Sequence, residues 1–209
     1  KQHIVNCSDS YEMKSRFILK VVSLVYMATA RATSITPDFV PGGSGAELNI
    51  QQFLGTTDPI WTYNSTENTT ILCKVDQMRE LKERSYSFNR SYYVGYHNWT
   101  TLNGAGTFSE EEPAEMNVDL KYVFSAYKYT ETLLYSDNYN SCAVVRVTPM
   151  DNEADTWYEH LVKNSFITKR KNKNCTNFFN TMPGKGRKVY RPHCLRMLSI
   201  GNATYSRWE

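Results

Sequence analysis

Hydrophobic and polar residues alternate along much of the chain between positions 60 and 162. Tyr86, Phe88, Tyr92 and Val94 interleave with Ser87, Asn89, Ser91 and Tyr93, and Val118, Leu120, Tyr122, Phe124 and Ala126 with Asn117, Asp119, Lys121 and Ser125. A period of two sends successive side chains to opposite faces of an extended chain, so each run predicts a half-buried β-strand. Further strand signals are Ile60 to Tyr63 (entered through Pro59), Ile71 to Val75, the 98–108 stretch with Trp99, Leu102 and Phe108, Tyr129 to Tyr135, Ser141 to Val147 and Thr156 to Val162. Polar turn segments at 110–113, 136–138 and 149–152 separate them. Gly104 and Gly106 predict a bulge or sharp bend inside their strand. About eight short strands at this spacing imply an all-β sandwich or barrel.

Helical patterns flank the strands. Glu47 to Leu54 carries Leu48, Ile50, Phe53 and Leu54 for one apolar side, with Gly55 to end it, and Cys175 to Thr181 is stopped by Pro183-Gly184. Short helix, about eight strands, short helix is an order compatible with an eight-stranded antiparallel up-and-down barrel.

The first residues have a different character. Met13 opens the basic Lys14-Ser15-Arg16, Lys20 follows, and then comes an apolar run from Val21 to Ala28 and the small-residue patterns Ala28-Thr29-Ala30 and Ala30-Arg31-Ala32. This is the layout of a secretory signal peptide over 13–32. The apolar run is too short for a membrane span, which needs about 20 residues. Residues 1–12, with Asn6 and Cys7, are expected to be an upstream leader. The 33–46 stretch, with Pro37, Pro41 and Gly42-Gly43-Ser44-Gly45, is expected to be a flexible lead-in, because it lacks the Lys-Ser/Thr of a phosphate loop. The barrel, its C-terminal helix and a tail occupy 47–209.

This division changes the charge. The 24 Lys and Arg against 21 Asp and Glu become 19 of each once the first 32 residues are set aside, so the remainder is formally neutral and gives no support to nucleic-acid binding. Cys73, Cys142, Cys175 and Cys194 remain, an even count that predicts two disulfides in an oxidising compartment, with three pairings open. No metal-ligand spacing is present, and neither a metal nor a cofactor is expected. Sequons at Asn64, Asn68, Asn89, Asn98, Asn174 and Asn202 agree with secretion and predict glycosylation at some of them. The basic run at 169–173 is expected to be a solvated loop.

Catalytic patterns are lacking. His97, His160 and His193 fall in no metal motif, and there is no G-x-S-x-G. With Phe88 and Tyr92 facing inward, alternation brings Arg90 in and turns Asn89 out. Arg90 is then available to a ligand carboxylate or hydroxyl, or to Asp58 or Glu131 as an internal partner.

The Asp58-Pro59-Ile60-Trp61 entry, Cys73-Lys74-Val75, Cys142, Trp157, Cys175 and Cys194 together resemble the tick salivary lipocalins of the histamine-binding family, over roughly 47–197. The resemblance implies an eight-stranded barrel with a helix at each end, and pairing of Cys73 with Cys194 and Cys142 with Cys175. It also implies lumen-facing Asp58 and Trp61, with Glu131 where the family places another lumen acid. The family's amine signature is degraded here. Its first acid is replaced by Ala143, and its second is shortened to Asp155 beside Trp157. A dry lumen must offer histamine, a cation, carboxylates in place of its hydration, with aromatic faces adding cation–π attraction. Losing an acid at Ala143 therefore shifts the expectation toward an apolar ligand such as a sterol or fatty acid. One branch of the family, the japanin-like immunomodulators, binds cholesterol and acts on host dendritic cells.

Three functions are weighed on this basis. The first is a secreted, monomeric, non-enzymatic barrel that sequesters a small ligand to modulate host inflammation or immunity, with a biogenic amine as the alternative cargo. The second is a module that engages host immune cells or a host protein through its outer surface. The third, a hydrolase, has only a supply of acids behind it.

Overall fold

Eight consecutive strands, each hydrogen-bonded antiparallel to the next, close on themselves when the first pairs with the last. The computed structural model describes residues 48–95, 98–121, 126–137, 141–168 and 173–205, the side chains of 98 and 200–205 excepted. The expected leader, signal peptide and lead-in lie outside the described residues, as do His97 and most of the basic run. Helix α1 (Ile50–Leu54) precedes β1 (Ile60–Ser65), β2 (Leu72–Leu81), β3 (Ser85–Val94), β4 (Asn98–Phe108), β5 (Glu115–Lys121), β6 (Ala126–Ser136), β7 (Cys142–Pro149) and β8 (Trp157–Lys163). Then come α2 (Lys173–Phe179), a two-residue strand β9 (Arg187–Lys188) and α3 (Cys194–Tyr205). The last two elements were not anticipated from the sequence. The barrel is the up-and-down architecture that lipocalins use.

The seam is uneven. Strand β1 pairs along its length with β8 but meets β2 only at Ile60↔Asp76 and Trp61↔Val75, and β9 takes over opposite Asn64 and Ser65. The segment after β9 stitches both sides of the gap. Val189 N–H donates to Tyr63 O and the Cys73 N–H donates to Val189 O, both at 3.0 Å. Cys73 sits where β2 bulges, with a left-handed φ of 53° unusual for a side-chain-bearing residue, and its sulfur is bonded to Cys194 at the start of α3. The second disulfide joins Cys142 in β7 to Cys175 in α2. Both pairings are those the family resemblance implies.

Alternation sorts the strand residues into two apolar clusters. The inner one contains Phe53, Ile60, Tyr86, Phe88, Leu102, Met116, Leu133, Ala143, Val145 and Leu161. The second lies on the opposite face of β1, β7 and β8 and contains Trp61, Val75, Val144, Val162, Phe179, Tyr190 and all four half-cystines. Helix α1 plugs one end of the barrel. Asn49 caps it by accepting from Gln52 N–H, Ile50 N–H donates to Pro113 O at 3.0 Å, and Gln51 Nε2 donates to Lys82 O. Its buried Ile50, Phe53 and Leu54 then close the inner cluster from below.

Gly104 and Gly106 introduce no bulge. Strands β3 and β4 stay in unbroken register from Ser85↔Thr107 to Val94↔Asn98. A Cβ on Gly104 would stand 2.4 Å from the Phe88 ring, and one on Gly106 would stand 2.4 Å from Met116 Sδ. The glycines leave room for two large inner side chains to lie flat across β4.

Candidate functional site

Above the plug the inner face changes from packed hydrocarbon to a cavity of about 340 Å³. Its wall is Ile71, Tyr92, Leu102, Leu120, Tyr129 and Trp157, with exposed Tyr127 at the rim. Lys74 and Arg90 reach it from β2 and β3, while Glu67 and Thr69 reach it from the loop joining β1 and β2. This loop, the start of β6 and the start of β8 lie at the end of the barrel opposite α1, which makes that end the mouth.

Two charge networks form beneath the apolar wall. Arg90 is buried over the Phe88 ring and grips Asp76 with two bonds, Nε to Oδ1 at 2.7 Å and Nη2 to Oδ2 at 2.6 Å. Its Nη2 also reaches Glu131 Oε1 at 3.1 Å, and its Nη1 donates to the Tyr129 hydroxyl. In the second network Lys74 Nζ meets Glu159 Oε1 at 2.6 Å, and the other Glu159 oxygen accepts from Thr62 at 3.0 Å. The Trp157 indole N–H donates to Glu159 Oε1 at 2.9 Å.

Burial and charge decide the protonation of these groups. Burial works against the Arg90 cation, but Asp76 and Glu131 more than offset it and hold its pKa above the usual guanidinium value. Burial pushes Glu131 upward, and Arg90 returns only part of that. Burial also acts on Glu159, yet Lys74, Arg90 and the hydrogen bonds from Lys74 and Trp157 win and hold it below the ordinary carboxylate range. Both inner cations are thus matched within the protein, as a low-dielectric interior requires.

The residues singled out in the sequence separate accordingly. Arg90, Tyr92 and Trp157 line the cavity. Glu131 lies directly behind Arg90 as its internal partner, and Phe88 supports the guanidinium from the core. Ala143 faces inward but is wholly packed, so it forms core and not cavity wall. Three placements are corrected. Trp61 belongs to the opposite cluster: it packs edge-on against Tyr190 at 5.3 Å and donates to Asn164 Oδ1 at 3.0 Å. Ile60 takes the inward position beside it, and because β1 is covered on both faces its apolar pattern carries no parity. Asp58 sits at the plugged end, where it accepts from Ser165 N–H at 2.9 Å. Asp155 is exposed in a 3₁₀ turn before β8 and accepts from Asn152 Nδ2, so it never reaches the lumen.

Lys74, Asp76, Tyr129, Glu159 and Glu67 were not anticipated. Four of them carried a signal. Lys74 and Asp76 share a face by alternation along β2, as do Tyr129 with Glu131 and Trp157 with Glu159. Glu67 lies in a loop, where no periodicity exists to find it.

Among the sequons, Asn68 and Asn174 are exposed, whereas Asn64 is half-buried at the β1–β9 pairing. Asn89 points outward in mid-sheet with a buried Oδ1 that has no partner among the described residues. The side chains of Asn98 and Asn202 lie outside the described residues. His160 and His193 each stand beside a disulfide, whose sulfurs are bonded to each other and offer no thiolate. Among the described residues no helix is long and apolar enough to cross a membrane.

No family model and no curated protein matches the sequence. Solved structures similar to this chain include apocrustacyanin C2 (13% identity, 68% of this chain, 79% of that one, TM-score 0.49) and lobster apocrustacyanin A1 (14% identity, 75% and 93%, TM-score 0.48). Japanin from Rhipicephalus appendiculatus bound to cholesterol is another (12% identity, 65% and 93%, TM-score 0.47). Likenesses this distant assign this chain no ligand. The closed barrel rests on its own strand pairing.

Proposed function

We propose that this chain is a secreted, disulfide-bonded ligand carrier that sequesters a small, largely apolar molecule in its barrel and performs no chemistry on it. The observation that carries this reading is the cavity of about 340 Å³, walled by aliphatic and aromatic side chains and underlain by cations already neutralised from within. Such a site has the size and the mostly apolar lining of small-molecule pockets. It exchanges hydrophobic surface with a ligand without stranding a charge. A sterol or another lipid is the favoured cargo. The resemblance of the sequence to tick salivary lipocalins supports a role in control of host inflammation or immunity.

The test is native mass spectrometry of the protein purified from a eukaryotic secretion system, followed by extraction of the retained ligand. A stoichiometric lipid or sterol is the expected result. An empty protein that also fails to bind a neutral hydrophobic probe would refute the carrier reading, and an immune effect undiminished after the lumen is blocked would favour a surface-binding module.

A further inference from the structure

The carrier reading leaves open which polar group the cargo bears, and the charges around the cavity bear on that. Four carboxylates, Glu67, Asp76, Glu131 and Glu159, surround two cations, Lys74 and Arg90. Both cations are held by partners at 2.6 Å. A ligand carboxylate entering here would have to displace an internal one, and it would add negative charge where acids already outnumber bases.

Glu67 differs from the other three acids. Its carboxyl lines the cavity but makes no hydrogen bond or ion pair among the described residues, while the backbone on either side is fixed. Its N–H donates to Ser65 Oγ at 3.0 Å. Its carbonyl accepts from Arg187 Nε at 3.0 Å, and the same guanidinium reaches Ile71 O and Thr69 Oγ1, both at 2.6 Å. Arg187 is itself anchored, because β9 pairs with β1 and the chain just beyond it bridges to Cys73. The loop is therefore a strap held at three points, and it sets an acidic residue on the wall of a mostly apolar chamber. Burial pushes the Glu67 carboxyl above its usual range, and nearby Lys74 offsets only part of this. A hydrogen-bond donor brought by a ligand would relieve that desolvation.

We propose that Glu67 is the polar recognition group of this lumen, taking a non-anionic, hydrogen-bond-donating group of the cargo at the mouth while the apolar body lies against the inner wall. A hydroxyl or an ammonium meets this description and a carboxylate does not, so the inference narrows the lipid reading on which it rests.

The experiment is displacement of N-phenyl-1-naphthylamine from the intact protein at neutral pH by 1-decanol, decylamine and decanoic acid, which share one hydrocarbon chain. The alcohol, the amine or both should displace the probe at concentrations at least tenfold below the acid. Glu67→Ala should weaken the preferred compound at least fivefold. Glu67→Gln, which keeps an acceptor but removes the charge, should weaken the amine alone. Equal or better displacement by the acid, displacement by none of the three, or indifference to Glu67→Ala overturns the proposal while leaving the carrier reading intact. Failure of the probe itself to bind removes the carrier reading.

Discussion

His160 is buried on the face of β8 opposite the lumen, and neither ring nitrogen has a hydrogen-bond partner among the described residues. Tyr63 packs edge-on at 5.4 Å, Phe179 of α2 lies at 6.1 Å, and the Cys142–Cys175 disulfide stands beside the ring. Burial lowers its pKa from 6.5 to about 4, with the charge of Asp137 countering only part of this. The folded protein thus keeps the imidazole neutral in a range where the unfolded chain would protonate it. Stability from this site is complete above pH 6.5 and drains away as pH falls through about 4. The gap between those midpoints corresponds to ~3 kcal/mol lost over that interval. His160→Leu, of similar volume, removes the titration. The expected result in urea unfolding is that the variant gains on the wild type by ~3 kcal/mol between pH 7 and pH 4. Any constant effect of repacking, or of removing two orphaned nitrogens, cancels in that difference. Parallel pH profiles for the two proteins would refute the reasoning.

Other outcomes follow from the inner face. Gly104→Ala drives a Cβ into the Phe88 ring and should cost about 1–3 kcal/mol in chemical denaturation, with no change expected in the register of β3 and β4. Glu159→Gln leaves Lys74 buried without its counter-charge and should destabilise by about 3 kcal/mol or more, and adding Lys74→Met should recover much of the loss. Because the Glu159 pKa is depressed when folded, the contribution of that pair is present above the ordinary carboxylate value of 4.5 and lost as pH falls below it, which unfolding of wild type and Glu159→Gln across pH 3–6 would show. Arg187→Met should raise amide hydrogen exchange in residues 67–71 selectively, and unchanged protection there would argue against the strap.

The strand alternation from Tyr86 to Val162, the turns between strands and the four cysteines at 73, 142, 175 and 194 pointed by themselves to a disulfide-bonded antiparallel β-protein. Period two also put Arg90 on the same face as Phe88 and Tyr92, so it faces inward once those two do. Tertiary structure alone decided what Arg90 does there. Asp76 stands directly opposite it in the register of β2 with β3, whereas Tyr129 and Glu131, 39 and 41 positions away on β6, reach it only because the sheet curls around the lumen. It also decided the face of Trp61, since a strand covered on both sides has no polar side to mark its parity. Likewise Gly104 and Gly106 resemble bends until Phe88 and Met116, side chains of neighbouring strands, occupy the space above them. Local periodicity records which face a residue takes, but which residues meet across a lumen depends on register and closure, and these are properties of the whole sheet.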